Sequence, residues 1–349
     1  MNTMITNAET DPWCLLEDGF HEQDQLISED VFSLGNGQIE QRANLEEFYS
    51  GKTILGSYIP GIYYPEDTKR SIWKNGDAGT TVNAPNWTGI IIRLNEEKLD
   101  LATWEIQNFK RILNMREGFL ERTFEAISLK GHQIQVSVKR FLSMAETEVG
   151  AIHYSVKSLN FEGRISFMPI LDGDLKDQLQ DRNEPIWNVL QTKTQSDVAH
   201  LWMQTRHTDF HVCQALTYAL YKNNELLNFV PTKIEKEKIA GFSIGTDVKK
   251  NDTVYLNKYV SILNSQNHPR NELTELACVL ARASRQKGWK KLMEEHTAVW
   301  TGKWNDSGIS DDGGDETQRI IRYKLFRNYQ GLDSNDETQR DCQLISSRF

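Results

Sequence analysis

The sequence holds four cysteines, Cys14, Cys213, Cys278 and Cys342, and no two are closely spaced. No C-x-x-C pair exists to form a zinc or redox site. Reduced thiols in a cytosolic protein are expected. No apolar run approaches membrane-spanning length. The polar amino terminus also lacks the apolar core of a signal peptide. These absences predict a soluble, cytoplasmic chain with no membrane partner. Positive charge is not in excess. The formal net charge is −9 with signs interspersed, which argues against nucleic acid or an anionic membrane as partner. G-x-S-x-G is absent, and no Ser-His-Asp arrangement is legible. No phosphate loop is present, because no Lys-Ser or Lys-Thr follows Gly35-Asn36-Gly37.

Aromatics are plentiful, with nine Trp among 349 residues, so a substantial core can be buried. The length exceeds one ordinary domain and falls short of three. From about residue 11 to Pro269 the pattern is that of antiparallel β structure. Ile90, Ile92 and Leu94 alternate with Ile91, Arg93 and Asn95, and Leu99 and Leu101 follow a short polar turn. Leu120 to Leu129 and Ile134 to Phe141 flank Lys130-Gly131-His132-Gln133, a hairpin signature. Ile134, Val136 and Val138 point one way; Gln135, Ser137 and Lys139 point the other. Many such strands predict two packed sheets. Gly35-Asn36-Gly37 can take the positive φ of a tight reversal and reads as a hairpin. Arg42, followed by Glu46 and Glu47, suggests an ion-pair corner.

Near Pro269 the period changes. Leu273, Leu276, Ala277 and Leu280 share one helix face. Asn271 is the expected N-cap, and Gly288 the expected break. Trp289, Leu292, Met293, Val299, Trp300 and Trp304 continue the apolar stripe. Asp311-Asp312-Gly313-Gly314-Asp315-Glu316 opens a further helix, its carboxylates suiting the positive end of the dipole. The spacing fails a calcium loop. Ile320, Ile321, Tyr323, Leu325, Phe326 and Tyr329 make that helix apolar around much of its girth, so it expects neighbours on more than one side. Asp315-Glu316-Thr317-Gln318-Arg319 recurs as Asp336-Glu337-Thr338-Gln339-Arg340, too few copies for a solenoid.

Three constellations are weighed as sites. His207, His211 and Cys213 lie in strand-like sequence, where four residues span roughly 13 Å. A zinc ion sits about 2 Å from each ligand, so no metal is expected there. Asp172, Asp174, Asp177 and Asp181 read as solvated loop carboxylates. Trp73, Lys74 and Asn75, before Gly76, offer a flat apolar face and donors suited to sugar hydroxyls. An aromatic anchor pinning the loop is the stronger reading of Trp73. These three are nonetheless the candidate substrate-proximal residues.

The run from Glu29 to Glu47, with Phe32-Ser33-Leu34-Gly35-Asn36-Gly37, Arg42 and Glu46-Glu47, resembles the start of the family 65 glycoside hydrolases. These are the disaccharide phosphorylases of maltose, trehalose and kojibiose. Asp11-Pro12-Trp13, Glu17-Asp18-Gly19-Phe20, Gly56 to Tyr63, Asn83 to Trp87, Arg111 to Met115 and Asp172-Gly173-Asp174 extend the resemblance, which runs from about Asp11 to about Asp333. Glu40 and Ala43 stand where the family has glycines. The resemblance implies a mainly β fold. A large antiparallel β-sandwich of galactose mutarotase type covers 1–269, and a helical linker covers 270–305. The start of a truncated α/α toroid and a divergent tail cover 306–349.

It also implies carbohydrate metabolism: inverting phosphorolysis of an α-glucosidic bond, maltose first, giving β-glucose 1-phosphate and glucose. Inorganic phosphate is the co-substrate, no cofactor is implied, and a homodimer stays open. Inverting hydrolases need both an acid and a base. A phosphorylase needs one raised-pKa Glu and donors for phosphate. In the family both lie in the barrel, beyond the helix at Ile320 to Tyr329. No catalytic residue is therefore carried over, and the chain alone is expected to be inactive. The tail after about Ser334 no longer resembles the family, which suggests a shifted frame or a gene fragment. The alternatives are a non-catalytic carbohydrate-binding or scaffolding module, or an inactive fragment exposing its apolar linker helices.

Overall fold

A computed structural model describes residues 11–64, 80–175, 186–308 and 316–331. Two antiparallel sheets carry the fold. The larger has ten strands. Its path runs Cys14–Asp18, Glu105–Asn114, Phe119–Ile127, Gln133–Leu142, Val149–Ser158, Thr253–Asn264, His211–Lys222, Ala199–Thr205 and Trp187–Thr194, with Glu225–Leu226 paired to the His211–Lys222 strand. The smaller has five: Thr232–Lys236, Ile239–Val248, Gly163–Asp172, Ile90–Leu94 and Glu97–Lys98. Their facing sides form the core, with Tyr154 against Phe167 at 6.3 Å and Tyr218 against Phe242 at 5.1 Å. The expected mainly β sandwich is present.

Alternation determines which side chains enter that core. Along Gln133–Leu142, Ile134, Val136 and Val138 are buried while Gln135 is exposed. Gly131, at φ 81°, turns the chain between this strand and Phe119–Ile127, as a residue without a Cβ can. Glu40 and Ala43, which stand where glycines are expected from the resemblance, are not among the positive-φ residues, so no glycine is required there. Glu40 belongs to the ladder of Glu40–Gln41 with Leu34–Gly35, and the Ala43 amide donates to the Glu29 carbonyl at 2.7 Å.

The strand His211–Lys222 is buried on both faces over most of its length. Its outward residues Cys213, Ala215, Thr217 and Ala219 are small and admit a helix at close range. That helix is α2, Leu273–Asp306, the first helix α1 being the short Gln25–Val31. Thr217 Oγ1 donates to the Ala281 carbonyl at 3.1 Å, and Ser261 Oγ to the Ala277 carbonyl at 2.7 Å. Gly288, at φ 79° and ψ 163°, breaks α2 as expected. Beyond the break, Leu292 packs with Phe119 and Phe141. The expectation for Asn271 is corrected. Pro269 leads directly into a 3-10 turn over Arg270–Glu272, so Asn271 already lies inside a helical turn. Glu272 holds the cap position without a side-chain bond.

The last helix among the described residues spans Glu316–Tyr329. Phe326 stacks on Trp300 at 4.7 Å, and the Tyr323 hydroxyl donates to the Val31 carbonyl at 3.0 Å. It thus has neighbours on two sides, while Ile321 remains exposed. Residues 311–315 of the acidic loop and the repeat at Asp336 to Arg340 lie outside the described residues.

Candidate functional site

Of the segments carrying the family resemblance, those around 41–44, 56–63, 83–87 and 172–174, far apart in sequence, converge at one end of the sandwich, while Cys14–Asp18 pairs with Lys110–Asn114 at the sheet edge. The Ala84 amide donates to the Ser57 carbonyl at 2.7 Å, and the Ser57 amide to Asn83 Oδ1 at 2.9 Å. Asn86 and Asp172 exchange two backbone bonds at 2.8 and 2.9 Å. Buried amides tie the loops from beneath. Gln41 Nε2 donates to Asn44 Oδ1 at 2.6 Å, Asn44 Nδ2 to Thr88 Oγ1 at 3.0 Å, and Thr88 Oγ1 to Asn86 Oδ1 at 2.8 Å. Each buried polar atom in that chain finds a partner, so the loop end is preformed.

Asn36 pins the reversal read from the sequence. Its Oδ1 accepts from the Gln38 and Ile39 amides, an Asx-type turn. Its Nδ2 donates to the Ser143 carbonyl at 2.9 Å and the Thr147 carbonyl at 2.8 Å. Gly37, at φ 82°, donates its amide to the Gln330 carbonyl at 2.8 Å, joining the turn to the end of the last helix.

The expected ion-pair corner exists with other cations. Glu46 and Glu47 meet Arg122, each at 2.6 Å, and Glu46 meets Arg140 at 2.7 Å. All four are buried. Burial alone would raise the Glu46 carboxyl; Arg140 and Arg122 outweigh it and hold the group below the usual carboxylate range. Arg42 instead points outward to Asp30 at 2.9 Å and to the Leu26 carbonyl at 2.8 Å. The reason is strand phase. Arg140 falls in step with Ile134, Val136 and Val138, and Arg122 with Leu120, Phe124 and Ala126, so both must enter the core. A charged residue on an apolar face was the available signal. Lys258, in step with Val254, Leu256 and Val260, is a third case. Its Nζ donates to the Ile170 carbonyl at 2.7 Å and the Gly89 carbonyl at 3.0 Å. Burial lowers its pKa well below the ordinary lysine value.

Trp73, Lys74 and Asn75 lie outside the described residues, as do Asp177 and Asp181. The strands flanking 65–79 pair with each other, Tyr63 with Thr81 and Tyr64 with Thr80. Asp174 is bridged by Lys238 at 2.8 Å. Asp172 accepts from the Asp174 amide at 2.8 Å, and burial raises its carboxyl. Burial also raises Glu29, whose oxygens accept from Thr53 Oγ1 and the Ile54 amide. Both raised carboxyls are thus engaged in holding loops. His211 Nε2 sits 3.4 Å from Asp209, while Cys213 is buried under α2. Among the described residues no group of three or more His, Cys, Asp or Glu is placed to hold a metal. No described helix is long and apolar enough to cross a membrane.

The architecture defines a two-sheet β-sandwich with a covering helix and a preformed loop end. The chain belongs to glycosyl hydrolase family 65: residues 15–302 match the family's N-terminal domain. It is 30% identical over 322 residues to maltose phosphorylase of Bacillus subtilis (strain 168), covering 91% of this chain and 42% of that relative. It is 24% identical over 343 residues to alpha,alpha-trehalose phosphorylase of Thermoanaerobacter brockii, covering 93% and 44% respectively. A solved structure named "Putative kojibiose phosphorylase from human microbiome" aligns with a TM-score of 0.79 at 25% identity, over 92% of this chain and 42% of that one. The chain therefore spans less than half the length of these relatives.

Proposed function

We propose that this chain serves as the amino-terminal sandwich of an inverting disaccharide phosphorylase acting in the cytoplasm. The substrate is an α-linked glucose disaccharide, maltose first, cleaved by inorganic phosphate to β-glucose 1-phosphate and glucose. Residues 1–269 form the sandwich domain, 270–305 the linker, and 306–349 the start of the helical part. The observation that carries the reading is the 30% identity to maltose phosphorylase across 91% of the chain.

In this reading the sandwich positions loops and leaves bond cleavage to other sequence. The raised carboxyls Glu29 and Asp172 already accept backbone amide bonds. A general acid must instead reach the glycosidic oxygen within hydrogen-bond distance. Trp73, Lys74 and Asn75 are assigned to the substrate-facing loop, between strands that converge at the preformed end. The purified 349-residue chain, given maltose, trehalose or kojibiose with phosphate, is expected to release no glucose 1-phosphate. Robust release would overturn this division of labour.

A further inference from the structure

On the outer face of the ten-stranded sheet, beside the break in α2, lies a groove of about 790 Å³. Four rings from four elements form its floor and wall. Tyr221 stacks on Tyr255 at 4.7 Å with an interplanar angle of 12°. His153 lies 4.9 Å from Tyr255 and 5.5 Å from Trp289. All four rings are half-buried, so each keeps part of its surface open to solvent.

The groove exists for identifiable reasons. His153, Tyr255 and Tyr221 lie on three adjacent strands and point to the same side, where register sets Tyr221 opposite Tyr255. Gly288 breaks the covering helix at this point through its positive φ. One rim is a two-residue hairpin turn, Asn223-Asn224, with both φ values positive at 49° and 71°. Asn223 is fixed there, donating to Asp252 Oδ1 at 2.8 Å and accepting from the Thr253 amide at 2.9 Å. The opening is therefore built before any ligand arrives.

The charge narrows the ligand class. Among the described residues that line the groove there is no Asp or Glu. Lys287 is neutralised by Glu146 and Glu295, which leaves Lys290 as the exposed cation. His153 is held below the ordinary imidazole value by burial. One lysine is a poor cradle for a polyphosphate, and the absence of carboxylates disfavours a cationic ligand. Open ring surface beside amide, hydroxyl and ammonium donors suits a neutral ligand with apolar C–H faces and many hydroxyls.

We propose that this groove binds a glucan oligosaccharide, at a place separate from the loop end and without cleaving it. With no carboxyl in the lining, no proton donor of that kind stands beside a bound glycosidic oxygen. Choosing an α-linked glucan as first probe rests on the phosphorylase reading; the groove itself does not.

The test is calorimetric titration of the full chain with maltoheptaose and, separately, with the β-linked cellohexaose. Saturable binding of maltoheptaose is expected. Trp289→Ala and Tyr221→Ala should each weaken it about tenfold, a change of roughly 1.4 kcal/mol. Binding of cellohexaose alone, lost in the same variants, would uphold the groove and count against the α-linked reading. Failure of both glucans to bind, or binding indifferent to both groove substitutions, would overturn it. Hydrogen exchange on the unsubstituted chain guards against misfolded variants. Saturating glucan should protect residues 221–225, 253–257 and 286–290, and protection confined to other regions would also overturn the proposal.

Discussion

Arg140 Nη1 and Glu46 Oε1 stand 2.7 Å apart between the two sheets, and solvent reaches almost none of either side chain. Glu46 also serves Arg122, and Arg122 binds Glu47 as well. Charges in this setting are costly to separate, because a group that loses its partner stays desolvated. Glu46→Gln keeps the shape and removes the charge, leaving two guanidiniums to one carboxylate. Chemical denaturation should show a loss of about 3–5 kcal/mol. Arg42→Ala, by contrast, breaks a single pair with Asp30 in which each side chain keeps 13% of its exposure, so water can partly replace the lost partner and the loss should be smaller. Equal losses in the two variants would show that the buried network does not hold the sheets.

Gly118 joins the sandwich to α2. It sits at φ 73°, and an added Cβ would fall 1.8 Å from Nε1 of the fully buried Trp300. Neither the turn nor the indole can yield cheaply, since Trp300 is stacked on both Phe326 and Trp304. Gly118→Ala should destabilise by at least about 3 kcal/mol, combining overpacking with backbone strain. A thermal melt within a degree or so of the parent, on a scale where 1 kcal/mol shifts Tm by about 2–4 °C, would contradict this.

His296 ties α2 to two sandwich turns. Its Nδ1 accepts from the Met144 amide at 3.1 Å, so Nε2 carries the proton and donates to the Gly118 carbonyl at 3.1 Å. Burial lowers its pKa from 6.5 to about 4. The unfolded chain therefore takes up this proton first as pH falls. Stability from the neutral ring is fully present above pH 6.5 and is lost as pH falls from 6.5 toward 4. The shift corresponds to roughly 3 kcal/mol. His296→Gln should lower stability at neutral pH and flatten the acid limb over this window, as measured by denaturation at each pH. An acid limb of unchanged slope would refute the assignment.

Much of this was readable in the sequence, and the gaps have physical causes. Period-two alternation located strands such as Ile90–Leu94 and Gln133–Leu142, because one face of each must be dry. The helix break at Gly288 was legible for the same local reason: the residue tolerates a φ that others avoid. Partner choice was not legible. Arg42 is near Glu46 in sequence, yet the cations that reach it come from strands 76 and 94 residues on. Cap geometry at Asn271 failed because Pro269 starts the turn a few residues early. The groove left no trace at all: Tyr221 and Trp289 are brought together only by sheet order and by the path of α2.

The last helix is fastened at a few points. Phe326 stacks on Trp300, Tyr329 meets Trp304 edge-on at 5.6 Å, and Arg327 bonds to Ser33 Oγ. Tyr323 and Phe326 share one buried cluster with the sandwich, but most of that cluster is supplied by the strands themselves. Stability should therefore be uneven, with the helix opening before the sheets. Phe326→Ala removes the central ring, a truncation that costs about 3–5 kcal/mol in a packed core. Here the loss should fall on the helix alone. Hydrogen exchange should accelerate in residues 316–331 and at the Gly37 amide, which donates to Gln330, while strands 133–142 and 253–264 keep parent rates. Acceleration spread evenly through both sheets would mean that the helix and the sandwich unfold as one unit.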